Sequence, residues 1–281
     1  MLPFSRHLRE GNLLEFIDTH CHIIPGVDDG PPDMDTSLAM ARMAMADGIT
    51  DIVATPHIVE GYYDGSDREQ RLAQLRKIFT SAGIDLRLSA GAEVPMSACL
   101  AGDKTFLKSL AINGGKFLLM ETAETTFDQV AQAAYRVRLC GLYPILAHPE
   151  RAAFVQKRPG RLDEILERDQ IYCQLTAASI EGVFGKTIKK TSLILAKSGM
   201  IHLVASDAHS TGKRAPLLSA CYKILVEELG EAAARTIMLQ NPLRVLESSK
   251  LERPALDTGD ILDRGHFLKL FRRKPSSDDA I

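Results

Sequence analysis

The chain has no apolar run near the roughly 20 residues that a membrane helix needs, so no spanning segment is expected. Met1–Glu15 carries Arg6, His7, Arg9 and Glu10 and lacks the continuous apolar stretch of a signal peptide. An excess of one charge is also missing: 34 Lys and Arg face 36 Asp and Glu, a net charge of −2. A polyanion such as DNA is given no electrostatic reason to bind. Five cysteines at irregular spacings argue against a disulfide framework and for a reducing compartment. A soluble, cytoplasmic protein is therefore expected. Familiar catalytic devices are absent as well, with no Gly-rich phosphate loop and no Gly-x-Ser-x-Gly elbow. A thiolate phosphatase needs an arginine six positions after its cysteine. Those positions hold Val27, Thr105, Leu146, Ser179 and Glu227, so Cys21 is expected to pack in the core.

What the chain does have is histidine and carboxylate in a recurring place. Phe16–Gly30 opens with an apolar strand start, places Asp18, His20 and His22 at alternate positions, turns at Pro25-Gly26 and returns with Asp28-Asp29-Gly30. Side chains two apart on a strand share a side, so the two imidazoles converge.

The pattern then repeats. Asp33–Asp47 reads as a helix, with Asp33 as cap and Met34, Leu38, Ala41 and Met45 on its face. Ile49–His57 is a strand ending in Thr55-Pro56-His57, and Glu60–Asp67 a loop. A helix bearing Leu72, Leu75, Phe79 and Ala82 follows. Asp85–Ala92 runs into Glu93, and Lys116–Met120 into Glu121. After a helix over Phe127–Leu139, Tyr143–Ala147 ends at His148-Pro149-Glu150-Arg151. Ile171–Leu175 ends at Thr176 with no metal-type residue, and Ile201–Ala205 ends in Ser206-Asp207-Ala208-His209. Ala215–Leu229, Glu231–Leu239 and a segment begun by Asn241-Pro242 read as helices.

Strands alternating with helices indicate a parallel sheet. Polar residues at the C-terminal ends of nearly every strand favour a barrel, whose site collects from many strands, over an open sheet with one switch point. About seven strands are visible, so an irregular α/β barrel is expected. It spans residues 16–250, with 1–15 as an N-terminal extension and 251–281 as a C-terminal tail. In that tail His266–Arg273 is a candidate for a short basic amphipathic piece that touches a partner or a membrane surface, and a solvated tail is the plainer reading.

Of eight histidines, His20, His22, His57, His148 and His209 fall just past strand ends, in company with Asp29, Glu93, Glu121 and Asp207. A single such histidine is ordinarily a hydrogen-bonded core or surface residue. His7, His202 and His266 are read that way. Clustered carboxylates repel one another in a low-dielectric pocket unless cations intervene. These nine side chains are too many for one ion, so two or three divalent ions with bridging carboxylates are expected, and the ligand types suit Mn, Fe or Zn. Such a centre acidifies a water and clamps an in-line displacement. Arg151 and Arg214, each just after a ligand motif, are candidates for phosphate oxygens.

Asp18-Thr19-His20-Cys21-His22, Ala54-Thr55-Pro56-His57, Gly91-Ala92-Glu93, Ala147–Arg151 and Ser206–His209 resemble the PHP (polymerase and histidinol phosphatase) superfamily. Val27-Asp28-Asp29-Gly30, His148–Arg151 and Gly212–Arg214 resemble, within it, the bacterial capsule-associated tyrosine phosphatases. The resemblance runs from about Phe16 to Leu246. It implies an irregular (β/α)7 barrel, a manganese-favouring centre and hydrolysis of phosphotyrosine on a bacterial tyrosine kinase of polysaccharide export. It implies as metal ligands His20, His22, Asp29, His57, Glu93, Glu121, His148, Asp207 and His209, with Arg151 and Arg214 binding phosphate. The alternatives are a phosphoesterase for a small ester such as histidinol phosphate, a nuclease, or a non-catalytic module that metals only stabilise. Tyr62 and Tyr63, after the His57 motif, are candidates for a wall against which a phenyl ring packs.

Overall fold

The computed structural model describes residues 14–122, 125–168 and 170–256. The expected N-terminal extension, apart from Leu14 and Glu15, and the tail beyond 256 lie outside the described residues. Among the described residues, eight short strands are paired in parallel: β1 (Phe16–Cys21), β2 (Ile49–Ala54), β3 (Arg87–Ala90), β4 (Glu93–Val94), β5 (Phe117–Glu121), β6 (Tyr143–Ala147), β7 (Tyr172–Thr176) and β8 (Leu203–Ala205). Their order is β1-β2-β3 and then β4-β5-β6-β7-β8.

Two sets of hydrogen bonds join these sheets into a ring. Gly91 N donates to Ala54 O (2.8 Å) and Glu93 N to Pro56 O (3.0 Å), so β3 and β4 act as one strand interrupted at Gly91-Ala92. A Cβ at Gly91 would stand 2.9 Å from Val53 Cγ1, so only glycine allows that approach. At the other seam Asp207 N donates to His20 O and His22 N to Ala208 O, each at 2.8 Å. With β3 and β4 counted as one, the result is the irregular (β/α)7 barrel expected from the sequence.

Alternation along the strands divides inside from outside. Ile17, Val53, Phe117, Leu119, Ile145 and Leu203 fill the barrel interior, together with Val245, Leu246 and Leu251 from the C-terminal segment. Ile52, Leu118, Leu146, Leu175 and Val204 point outward into the core shared with the helices. The polar side chains at the strand C-termini stand beyond this apolar floor.

The helices are α1 (Met34–Ala46), α2 (Arg68–Ser81), α3 (Met96–Ala101), α4 (Lys104–Ser109), α5 (Phe127–Leu139), α6 (Ala153–Lys157), α7 (Arg161–Arg168), α8 (Ala177–Glu181), α9 (Lys186–Lys197), α10 (Ser219–Leu229), α11 (Glu231–Arg235) and α12 (Asn241–Leu246). Asp33 Oδ1 caps α1 by accepting from Thr36 N at 2.8 Å. The buried face of α1 is Ser37, Met40, Ala41 and Ala44, rotated from the expected stripe, and Met45 is exposed. The small Ala41 and Ala44 suit a close approach to the sheet.

Helix α10 begins at Ser219 and not at Ala215. The Asp47 carboxylate accepts from Leu218 N (2.6 Å) and Ser219 N (2.9 Å) and so fixes the first turn there. Helices α11 and α12 join through a π-helical turn, Thr236–Gln240, where two separate helices were expected. Pro242 has no N–H, and wider spacing ahead of it absorbs the missing bond. Packing also continues past residue 250. Leu251 is buried, Glu252 N donates to Asn241 Oδ1 at 2.9 Å, and Arg253 Nη1 lies 3.5 Å from Asp163 and 3.3 Å from Glu167 on α7.

Candidate metal centre

All nine expected side chains gather at the C-terminal mouth of the barrel. β1 delivers His20 and, just past its end, His22. The turn after β1 adds Asp29, and residues at or just past β2, β4, β5 and β6 add His57, Glu93, Glu121 and His148. Asp207 and His209 follow β8. His148 and Asp207 have left-handed backbones, φ +37° and +52°, an uncommon conformation for non-glycine residues that sharply redirects the chain. Both are packed against the cluster: His148 Nε2 is 2.7 Å from Glu93 Oε1 and Asp207 Oδ1 is 3.3 Å from His20 Nε2.

Three overlapping groups have their ligand atoms within 4.8 Å of one another: His20, His22, Glu93 and Asp207; His22, Asp29, His57 and His209; and His57, Glu93 and Glu121. Glu93 is the hub. Its Oε2 is 3.1 Å from His20 Nε2, 3.3 Å from His22 Nε2 and 3.3 Å from His57 Nδ1.

The electrostatics show why this cluster needs positive charge. Burial pushes the His20 imidazolium down to about 4, which leaves the ring neutral at pH 7. Burial opposes charge on His22 too, but the Asp28 and Glu93 carboxylates outweigh it and lift His22 to about 10. Glu93 and Asp207 stay well below the usual carboxylate range despite burial, because imidazoles surround both and Arg151 pairs with Asp207. Glu121 is raised, by burial and by the charge of Glu93. In this arrangement a proton on an imidazole supplies the positive charge that a divalent ion would bring.

The donor set fits such ions. His209 donates Nδ1–H to Asp207 O at 3.0 Å, while its buried Nε2 has no hydrogen-bond partner, although Asp29 Oδ1 is only 3.0 Å away. His22 Nδ1 is held by Asp28 Oδ2 at 2.7 Å. In each ring the outer nitrogen is engaged and Nε2 faces the cluster, the arrangement of metal-ligating histidines.

Beside the cluster lies a cavity of about 500 Å³, lined in part by Asp29, His57, Glu121, Arg151, Phe154 and Arg214. Arg151 pairs with Asp207, donates to Thr176 Oγ1 at 2.8 Å and lies over the Phe184 ring at 4.7 Å. Arg214 Nη2 is 3.0 Å and 3.1 Å from the two Asp207 oxygens. The Nε of each arginine is buried without a partner. Both side chains line the cavity.

Several sequence expectations need correcting or completing. Neither Tyr62 nor Tyr63 lines the cavity: Tyr63 is buried in the outer core and Tyr62 is exposed. The aromatic wall is Phe154 on α6, braced edge-on by Phe127 with ring centres 4.6 Å apart. Asp28, which holds His22, was not singled out; its place in Asp28-Asp29 was the only signal. Gln174 carried no legible signal, and although Asp18 and Ser206 stand in the two ligand motifs, nothing local shows that they pair. Asp18 Oδ1 accepts from Ser206 N at 3.0 Å across β1 and β8. His202 is a buried core residue as expected, its Nδ1 accepting from Cys173 N at 3.2 Å.

Cys21 is buried, and burial raises its thiol well above the ordinary value, the opposite of an activated nucleophile. Cys21→Ser is expected to lower stability by about 1–3 kcal/mol, the scale of burying a hydroxyl. It should leave kcat/KM for a phosphorylated substrate within about twofold. A stable, metal-replete but inactive variant would implicate the thiol.

The family described as capsular polysaccharide synthesis, CpsB/CapC, matches residues 16–247. The tyrosine-protein phosphatase YwqE of Bacillus subtilis (strain 168) is 36% identical over 220 residues, covering 76% of this chain and 85% of that protein. The tyrosine-protein phosphatase CpsB of Streptococcus pneumoniae is 26% identical over 240 residues, covering 82% and 98%. A solved structure from work on YwqE and CpsB, described there as unique metal-dependent tyrosine phosphatases, has a TM-score of 0.75. It shares 31% identity and covers 86% of this chain and 99% of that one.

Proposed function

This chain belongs to the capsular polysaccharide synthesis CpsB/CapC family, and on that premise we propose that it is a metal-dependent protein tyrosine phosphatase. The observation that carries the reading is the convergence of four carboxylates and five imidazoles beside a cavity rimmed by two arginines. His20, His22, Asp29, His57, Glu93, Glu121, His148, Asp207 and His209 would hold two or three divalent ions, with manganese favoured and iron or zinc the alternatives. Ions bound there would supply an acidified water and neutralise the charge of the transferring phosphoryl group.

The chain's own groups do the rest. Arg151 and Arg214 offer planar forks to equatorial phosphate oxygens. Phe154 and Ala153 give the cavity an apolar side on which a phenyl ring rests. The buried Glu93 and Asp207 keep the imidazoles oriented. The leaving phenolate has a conjugate acid near 10, so it needs less protonation than an alkoxide. The substrate would be a phosphotyrosine segment of a bacterial tyrosine kinase of polysaccharide export, met in the cytoplasm. No described helix is long and apolar enough to cross a membrane.

The test is a comparison of kcat/KM for a phosphotyrosine peptide, the matching phosphoserine peptide and histidinol phosphate. Phosphotyrosine should lead by about a hundredfold, roughly 2.7 kcal/mol of transition-state discrimination. A preference for histidinol phosphate would move the chain to a small-ester role. Phe154→Ala should narrow the lead by about tenfold, chiefly through KM, with metal content unchanged. An unaltered preference would show that the ring is read elsewhere.

A further inference from the structure

Among the seven strands of the barrel, β7 contributes none of the nine candidate ligands, yet it places one polar side chain beneath them. Gln174 is buried on the inner face of β7. Its amide lies between His20 Nδ1, at 2.8 Å from Nε2, and the Thr19 hydroxyl, which donates to Oε1 at 2.9 Å. These contacts bridge 154 and 155 positions of sequence, and the amide does not touch the ion-binding atoms themselves.

The orientation of this amide has a chemical consequence. With its NH2 donating to Nδ1, His20 must carry its own proton on Nε2. That nitrogen faces Glu93 Oε2 at 3.1 Å, His22 Nε2 at 3.1 Å and Asp207 Oδ1 at 3.3 Å. A proton there satisfies the carboxylates when no cation does, but it blocks the lone pair that a divalent ion needs. Turned over about its last torsion, the same amide presents oxygen to Nδ1–H and NH2 to Thr19 Oγ1. Every polar group stays bonded, because a hydroxyl accepts as readily as it donates. Only the second arrangement leaves Nε2 free as a ligand.

We propose that Gln174, backed by Thr19, is a positioning residue that sets the tautomer of His20, its amide turning over as the centre gains or loses its ion. This rests on the reading of His20 as a ligand and not on the identity of the substrate. Glutamine suits the task because one amide can serve either tautomer of His20. A carboxylate could only accept, and an aliphatic residue could do neither. His22 and His209 differ, since an acceptor-only partner, the Asp28 carboxylate or the Asp207 carbonyl, commits each to the Nδ1–H form.

The test reads metal binding and ring chemistry. In long-range 1H–15N correlation spectra of the 15N-histidine-labelled full chain, His20 should show Nε2–H in the chelated protein and Nδ1–H after loading with zinc. Gln174→Met, close in shape without polar atoms, should weaken zinc affinity by 10–100-fold, the range for loss of a partner behind a ligand. Gln174→Glu should restore most of that affinity and hold His20 as Nδ1–H even in the chelated protein. His20 as Nε2–H in the zinc-loaded wild type, or undiminished affinity in a folded Gln174→Met chain, would overturn the proposal. If the Met variant does not fold, the wild-type spectra decide. A purely structural glutamine would alter melting temperature without moving the tautomer. None of these readouts depends on hydrolysis, so a failed phosphatase assay would leave the outcome intact.

Discussion

Glu93→Gln should reduce hydrolysis of a phosphotyrosine peptide by at least about a thousandfold, or roughly 4 kcal/mol, and lower the metal content of the purified chain. Glu93 contacts four of the five mouth histidines, with Oε2 near His20, His22 and His57 and Oε1 on His148 at 2.7 Å. The amide keeps the shape but gives up the charge that two of the ligand groups share. The wild-type chain treated with chelator should lose activity to the same degree and recover it on addition of manganese. Its melting temperature should also fall. An ion held at a hundred times its Kd adds about 2.7 kcal/mol, roughly 5–10 °C for a domain of this size. In Glu93→Gln the chelator should shift melting much less. Both effects are read by metal analysis, calorimetry and peptide kinetics. A fully chelated chain that still hydrolyses the peptide would remove the ions from the reaction.

Arg151→Ala and Arg214→Ala should each lower kcat/KM by about 10²–10³, the cost of removing one donor that meets transition-state charge, with metal content retained. The two residues are held differently. Arg151 is fixed by Asp207, by Thr176 Oγ1 and by the Phe184 ring. Arg214 reaches both Asp207 oxygens and, at 3.4 Å, Asp29. Each keeps an unpartnered Nε. If these were only structural ion pairs, their removal would cost stability and leave turnover alone. Lysine at either place should recover part of the loss, because it restores charge without the planar fork. Unchanged kinetics in both alanine variants would return the arginines to a structural role.

The candidate metal centre was legible in the sequence because a parallel barrel turns a three-dimensional site into a one-dimensional rule. Each strand contributes at its C-terminal end, so His20, His57, Glu93, Glu121, His148 and Asp207 could be found by looking where each apolar run stops. Strand identity was equally accessible, since β5 and β6 lie where their apolar residues place them. Residue spacing alone argued against the thiolate and P-loop chemistries.

Other features depend on distances that no local pattern encodes. The buried stripe of α1 is set by the sheet it lies on, and so falls one step from the most hydrophobic line of its residues. The start of α10 is set by Asp47, more than 170 positions away. Tyr63 and Phe154 both offer an aromatic ring, and only packing, Phe154 against Phe127, decides which one lines the cavity. Gln174 reads as an ordinary strand residue until the ring of strands brings it under His20. The sequence by itself determined which side chains gather at the mouth, because residue types and strand ends are local properties. The tertiary structure alone decided how those residues are oriented, because hydrogen bonds behind them run across the barrel, between segments the chain keeps far apart.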